Sequence, residues 1–228
     1  MPDTPKQVAF IHTSPSMIPP FKALADELLG QRARVFNMVD ESLLCDIIGH
    51  GCCPPATAKR LVGHVLAAEQ AGAEIILVTC SSMGRAVEAS RARVASTVLR
   101  VDEPMAQRAV ASGRRIGVIA TLPSTLEPTV ALIRARGSMA GVELNVTSQV
   151  IEGAFDAVMS GNGVRHDELV AAAVREMGKQ VDVIVLAQAS MARVVESLRP
   201  EERPVPILSS PRPAVEHVAS LVDAWVDA

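Results

Sequence analysis

The strongest constraint on this 228-residue chain is an internal match at an offset of 108 positions, which sets Cys80 opposite Gln188. VTCSSMGRAVE, from Val78, meets LAQASMARVVE, from Leu186, so that Ser82, Met83, Arg85, Val87 and Glu88 recur as Ser190, Met191, Arg193, Val195 and Glu196. Nearer the front, HTSPSMIPPFKAL from His12 meets ATLPSTLEPTVAL from Ala120 and keeps Thr13, Pro15, Ser16 and Pro20 as Thr121, Pro123, Ser124 and Pro128. Asn37 recurs at the same offset as Asn145. Separated segments that agree on one register imply two similar halves, since low-complexity similarity would drift. Paired domains tend to place a site where equivalent loops converge, in the cleft between them. Here those loops bring one thiol and one amide.

Short runs rich in Val and Ile, namely QVAFIH, ARVFNM, AEIILVTC, STVLRV, RIGVIA, VELNVT, VDVIVLA and PVPIL, read as strands, most of them covered on both faces. Between them lie stretches such as 58–71 and 167–178, with apolar residues three and four apart among good helix formers. This alternation predicts an α/β chain built from two similar Rossmann-like domains, each with a mainly parallel four-stranded sheet and right-handed crossovers, related by a pseudo-twofold. The turn at 112–115 sets the expected boundary, with a first half over 1–113 and a second over 114–213. The last helix, 214–228, is expected to rejoin the first half.

Composition narrows the function. A net charge of −3, an aromatic content of 2% and the lack of any Lys/Arg run remove the footprint of a nucleic-acid binder. No stretch approaches the length of a membrane span and no secretory signal is seen at the front, so the expected setting is cytoplasmic, with no membrane partner. The four cysteines then read as free thiols. Cys45, Cys52 and Cys53 lie near His50 and His64 but lack the paired spacing of a zinc site, so no metal is expected.

In open parallel sheets ligands gather beyond the carboxyl ends of the strands, where the repeated motifs fall. Cys80 should lie between a strand and a helix start, where free N–H groups and the helix dipole lower a thiol pKa. The alternative is a packed small hydrophobe. Thr13, Ser14, Ser16, Ser81, Ser82, Thr121, Ser124, Thr125 and Ser190 suit a carboxylate as a set, although Ser16 and Ser124 also read as helix caps. Arg85 and Arg193 are spaced to pair with Glu88 and Glu196. His12 could act as a base, but its counterpart is Ala120, so such a role would be one-sided. The segment 49–55 (GHGCCPP) reads as an irregular loop, either a lid or a plain connector.

The paired motifs VTCSSMG and LAQASMA, with HTSP and ATLPST and with MVDESLL and RVDEPM, resemble the aspartate/glutamate racemase superfamily, which includes hydantoin racemases, maleate cis-trans isomerases and arylmalonate decarboxylases. The resemblance spans nearly the whole chain. It implies chemistry without a cofactor at the carbon next to a carboxylate or carbonyl, on a small-molecule carboxylate, through cysteines in the cleft. On that basis Cys80 is the catalytic thiol and Gln188 holds the position of the second cysteine. Thr13, Ser14, Ser81, Ser82, Thr121, Thr125, Ala189 and Ser190 are the expected substrate-binding residues. An amide cannot act as a base near neutral pH, so Gln188 departs from a symmetric two-thiol racemase. Three readings stay open: a racemase or isomerase using Cys80 alone, a decarboxylase of substituted malonates with one cysteine proton donor, and a carboxylate-binding or regulatory protein without turnover. Assembly into a homo-oligomer is also left open.

Overall fold

The computed structural model describes residues 5–226. All eight apolar runs form strands. In the first unit β1 (Lys6–His12), β2 (Ala33–Val39), β3 (Ile75–Val78) and β4 (Thr97–Arg100) form a wholly parallel sheet in the order β2-β1-β3-β4. In the second, β5 (Arg115–Ala120), β6 (Asn145–Val150), β7 (Val183–Leu186) and β8 (Ile207–Ser209) repeat that order as β6-β5-β7-β8, again all parallel. Every residue of the central strands β3 (IILV) and β7 (VIVL) is buried, as expected where helices cover both faces. The edge strands β2 and β6 are more exposed.

Helices α1 (Ile18–Leu28), α2 (Glu41–His50), α3 (Pro55–Gln70) and α4 (Gly84–Ser90) connect the first sheet. The second unit carries α5 (Glu103–Ser112), α6 (Pro123–Met139), α7 (Ala154–Met159), α8 (Gly163–Met177) and α9 (Ala192–Ser197). The chain divides at Val101/Asp102, and the segment from Pro211, which forms α10 (Pro211–Val226), belongs with the first unit. Arg212 and Glu27 tie α10 to α1 through two hydrogen bonds of 2.9 and 2.7 Å. The sequence places the boundary at 113, but Met105, Ala106, Ala109 and Val110 of α5 pack with Ile116 and Val118 of β5 in a core of the second unit. No helix among the described residues is long and apolar enough to cross a membrane.

The repeat is exact in register at the central strands. Ile11 pairs with Val78, and their counterparts Ile119 and Leu186 pair likewise. Asn37 and Asn145 are not structural equivalents, which corrects the sequence reading: Phe10 faces Asn37, whereas its counterpart Val118 faces Ser148. The second unit spends three more residues before its edge strand and three fewer after it. Another pair joins the repeat instead. Glu74 accepts from Gln7 N at 3.1 Å and binds Lys6 at 2.8 Å, while Asp182, at the same offset, accepts from Arg114 N and Arg115 N at 3.0 and 2.9 Å. A carboxylate thus fastens the start of both central strand pairs.

Local chemistry sets the helix ends. The Asp40 carboxylate caps α2 by accepting from Ser42 N at 3.0 Å, and Gly51 at φ 68° ends that helix in the left-handed region. Asn162 caps α8 in the same way as Asp40. Ser16 and Ser124 are not caps. Ser16 lies inside the single 3-10 turn Pro15–Met17, and Ser124 is the second residue of a helix that begins at Pro123. Proline at the first helical position starts these segments without a side-chain cap, because its fixed φ suits the helix and the missing N–H would be unpaired there.

Candidate functional site

Beyond β3 the chain makes a 3-10 turn, Ser81–Met83, with Cys80 as its extended N-cap residue, and beyond β7 it makes the matching turn, Ala189–Met191, with Gln188 in that place. The two turns have nearly the same backbone, at φ −117° and ψ 113° for Cys80 and φ −114° and ψ 136° for Gln188. Their side chains differ, and each half builds its own surroundings for the residue it carries.

In the first unit the Cys80 sulfur faces the Thr13 hydroxyl, the Ser82 hydroxyl and the backbone N–H groups of Ser82 and Met83. It keeps some exposed surface yet is densely surrounded, and burial pushes its pKa up against the pull of those donors. The sequence reading of a lowered thiol pKa is therefore corrected. Desolvation disfavours the anion more than the turn's N–H groups favour it, so Cys80 rests as a neutral thiol with donors already aimed at the thiolate. Thr13, Ser81 and Ser82 are buried around it. Ser14 stands apart, half-buried and sharing a 2.8 Å hydrogen bond with Ser16.

In the second unit Gln188 is anchored on Thr121, the counterpart of Thr13. Its Oε1 accepts from Thr121 N at 2.6 Å, and its Nε2 donates to Thr121 Oγ1 at 2.8 Å. One amide proton stays available to a ligand. Thr121 and Thr125 are buried, while Gln188, Ala189 and Ser190 are half-buried. The same strand-end threonine thus meets a sulfur in one unit and a carboxamide in the other.

Among the described residues Arg85 does not pair with Glu88 as their spacing suggests. Glu88 bonds Arg100, and Arg193 bonds Asp167 at 2.9 Å and Gly163 O at 3.2 Å; the side chain of Glu196 is outside the described set. Helix spacing favoured Glu88 as the partner of Arg85, but Glu88 meets the buried Arg100 at the end of β4 instead. Arg100 is buried, and its guanidinium fills the space where a Cβ on Gly84 would lie, directly after the thiol turn. Nothing in the spacing of the sequence pointed to Arg100. The glycine that opens α4, where the second unit has Ala192, was the available signal.

Three of the seven residues of segment 49–55 are helical, since Gly49 and His50 finish α2 and Pro55 opens α3. What remains is the four-residue connector 51–54. Arg60 bonds Asp46 at 2.9 Å and Asp40 at 2.8 Å, and Thr57 bonds Asp46 at 2.9 Å, so the flanking helices are clamped together. Cys53 packs beside Cys80 on one core cluster, its Sγ 3.8 Å from Met83 Sδ. Burial first and Cys80 second push the Cys53 thiol pKa up. All four cysteines are free, and among the described residues no three His, Cys, Asp or Glu side chains group as metal ligands.

His12 ends β1 fully buried, with Nδ1 2.8 Å from Thr79 Oγ1 and Nε2 2.9 Å from Asn37 Oδ1. Burial lowers its pKa, opposed by the Asn37 bond, so it rests neutral. With both nitrogens engaged beneath the surface, it is not placed as a direct base. His166 escaped the sequence reading. It is buried in α8 with Nδ1 2.7 Å from Asp167 Oδ1, and its Nε2 has no hydrogen-bond partner.

Comparison with known proteins accords with this architecture. The structure is similar to allantoin racemase from Klebsiella pneumoniae, with a TM-score of 0.67 and 20% identity over 96% of this chain and 89% of that one. It is similar to glutamate racemase from Francisella tularensis subsp. tularensis SCHU S4 in complex with D-glutamate, with a TM-score of 0.72 and 12% identity over 98% and 83% of the two chains. Aspartate racemase from Picrophilus torridus gives 0.67 and 14% over 97% and 94%. At such identities these likenesses concern the fold. No curated protein sequence matches the chain. The family described as Asp/Glu/Hydantoin racemase, by contrast, matches residues 10–218, nearly the whole sequence, and the chain belongs to that family.

Proposed function

We propose that this chain is a cofactor-independent racemase- or isomerase-type enzyme that acts at the carbon next to a carboxylate or carbonyl of a small acid or amino-acid derivative, with Cys80 as its single proton-transfer thiol. Family membership supports the isomerase class. The observation that carries the thiol assignment is the ring of four donors on Cys80, two hydroxyls and two N–H groups, around a sulfur that burial keeps protonated. A desolvated thiolate held by preset donors is a strong carbon base, and the neutral thiol is a ready acid.

Once the Cys80 thiol has given its proton to solvent, the proton at the reacting carbon passes to the thiolate Sγ, and the bonding pair moves into the adjacent carbonyl to form an enediolate. Hydrogen-bond donors at the two turns, including the free amide proton of Gln188, would hold that charge. Return of the proton from Cys80 gives exchange on one face, whereas protonation by a water on the opposite face inverts the carbon, and the Cys80 proton then passes to the hydroxide left behind. Thr13, Ser14, Ser81, Ser82, Thr121, Thr125, Ala189 and Ser190 are the proposed substrate contacts.

The neutral resting state of Cys80 favours a second reading, decarboxylation of a substituted malonate. There the carbon–carbon bond breaks, carbon dioxide leaves, and the enediolate takes its proton from the Cys80 thiol, which solvent then recharges. The test is incubation in deuterium oxide with L-aspartate, L-glutamate, hydantoins, maleate and substituted malonates, followed by NMR beside Cys80→Ala. Deuterium uptake or turnover lost in the variant supports the thiol assignment, and the consumed compound names the reaction. Turnover retained by Cys80→Ala overturns it, and ligand binding with no exchange would replace both enzyme readings with a binding protein.

A further inference from the structure

The relay Asn37–His12–Thr79, buried at His12 and Thr79 and open at Asn37, is unused by the mechanism above, and it adjoins the two residues that matter most. His12 directly precedes Thr13, whose hydroxyl faces the Cys80 sulfur, and Thr79 directly precedes Cys80. Thr79 Oγ1 also lies 3.2 Å from Ile11 O, so the hydroxyl stands between the adjacent ends of β1 and β3. Phe10 and Phe21 pack against the imidazole edge-on, with centroids at 6.2 and 5.6 Å, and fix its plane. Asn37 Oδ1 can only accept, so the neutral ring donates from Nε2 and accepts at Nδ1 from the Thr79 hydroxyl, which gives the relay a definite polarity.

The fold does not require this relay. In the second unit the counterparts of His12 and Thr79 are Ala120 and Ala187, and Ser148 occupies the ladder position of Asn37. The equivalent backbone bond forms in both halves, with Thr79 N 3.0 Å from Ile11 O and Ala187 N 2.9 Å from Ile119 O. Two alanines thus close the same strand ends. A buried polar network costs free energy unless every member is satisfied, and it stands here in the unit that carries the thiol.

Resting on the assignment of Cys80 as the reactive thiol, we infer that His12, Thr79 and Asn37 are positioning residues that hold the Thr13 hydroxyl and the Cys80 turn in register, so that the thiolate receives its donors. They act through Thr13 and Cys80 and do not touch substrate. Loss of the relay lets the ends of β1 and β3 shift, and a misplaced donor stabilises the anion less.

The test reads thiol ionisation directly and needs no substrate. Cys80 alkylation by iodoacetamide is followed against pH by peptide-resolved mass spectrometry, which separates it from the neighbouring Cys53. In Thr79→Val, folded by circular dichroism, the alkylation midpoint of Cys80 is expected to rise by about one pH unit, so that labelling near neutral pH slows about tenfold. Asn37→Ala, on the exposed edge strand, is expected to shift it in the same direction by less, and Thr79→Ser to restore the parental profile. Unchanged midpoints in Thr79→Val and Asn37→Ala would overturn the inference, as would a shift that Thr79→Ser fails to reverse, because loss of packing alone would then explain it. Failure of the proposed enzyme reading would show separately, as turnover that survives Cys80→Ala.

Discussion

The two units share a strand order, a central-pair register and a strand-end turn, yet they treat the residue at that turn in opposite ways. The first surrounds Cys80 with donors and sets a buried imidazole relay beneath it. The second folds Gln188 onto Thr121 and closes the strand ends with Ala120 and Ala187. The duplicated scaffold is thus finished differently by a few side chains. In the proposed function the first unit moves a proton, and the second holds charge without moving one.

Breaking the thiol side should have the largest effect. Cys80→Ala is expected to lower the rate of carbon–hydrogen exchange by about a thousandfold or more, measured as deuterium uptake on whichever substrate the wild type turns over. Next comes a paired test of the two threonines. Thr13→Val removes a donor to a thiolate and should cost about tenfold to a hundredfold in kcat, whereas Thr121→Val loosens an amide anchor and should act mainly through KM, by about tenfold or less. Equal kcat losses in the two variants would erase the distinction between the units. Gln188→Cys sharpens the comparison further, since it gives both turns a thiol, and any gain in racemisation would be read by polarimetry.

A packing difference gives a smaller effect. Ala9 of β1 has Gly117 as its counterpart in β5, where an added Cβ would lie 2.6 Å from Met177 Cγ. Gly117→Ala is therefore expected to cost about 1–3 kcal/mol in denaturant unfolding. The smallest effect concerns acid. Arg115 and Arg114 N–H groups and the Arg115 guanidinium hold Asp182 at a pKa of about 2, below its ordinary 3.8. Because the folded pKa is depressed, this support is complete above pH 3.8 and fades as pH falls through about 2. Asp182→Asn should therefore lower Tm slightly at neutral pH and converge with the wild type toward pH 2, a trend that thermal melts at several pH values would check.

Much of this was legible before any coordinates. Val/Ile-rich runs marked all eight strands, most plainly the central β3 and β7, since a strand covered on both faces has no polar side to show. The match between Cys80 and Gln188 was legible because both copies kept the Ser and Met that shape the turn. The Glu74 and Asp182 latch was hidden, as two different residues do one job through backbone N–H groups. Asn37 and Asn145 misled in the other direction, because identity at a fixed offset does not detect a gap closed elsewhere.

By itself the sequence determined the class of fold, the duplicated halves and the residue at each turn, since these rest on periodicity and a fixed offset, and it carried the family through the resemblance of its paired motifs. Tertiary structure decided the rest. It set the direction of the Cys80 pKa, because desolvation depends on how many atoms surround a sulfur and no motif counts them. It decided that Gln188 leans on Thr121, that Arg100 lies over Gly84, and that His12 is joined to Asn37 and Thr79, residues 25 and 67 positions away. Such contacts form between segments brought together only when the sheet closes, and side-chain spacing along one element carries no trace of them.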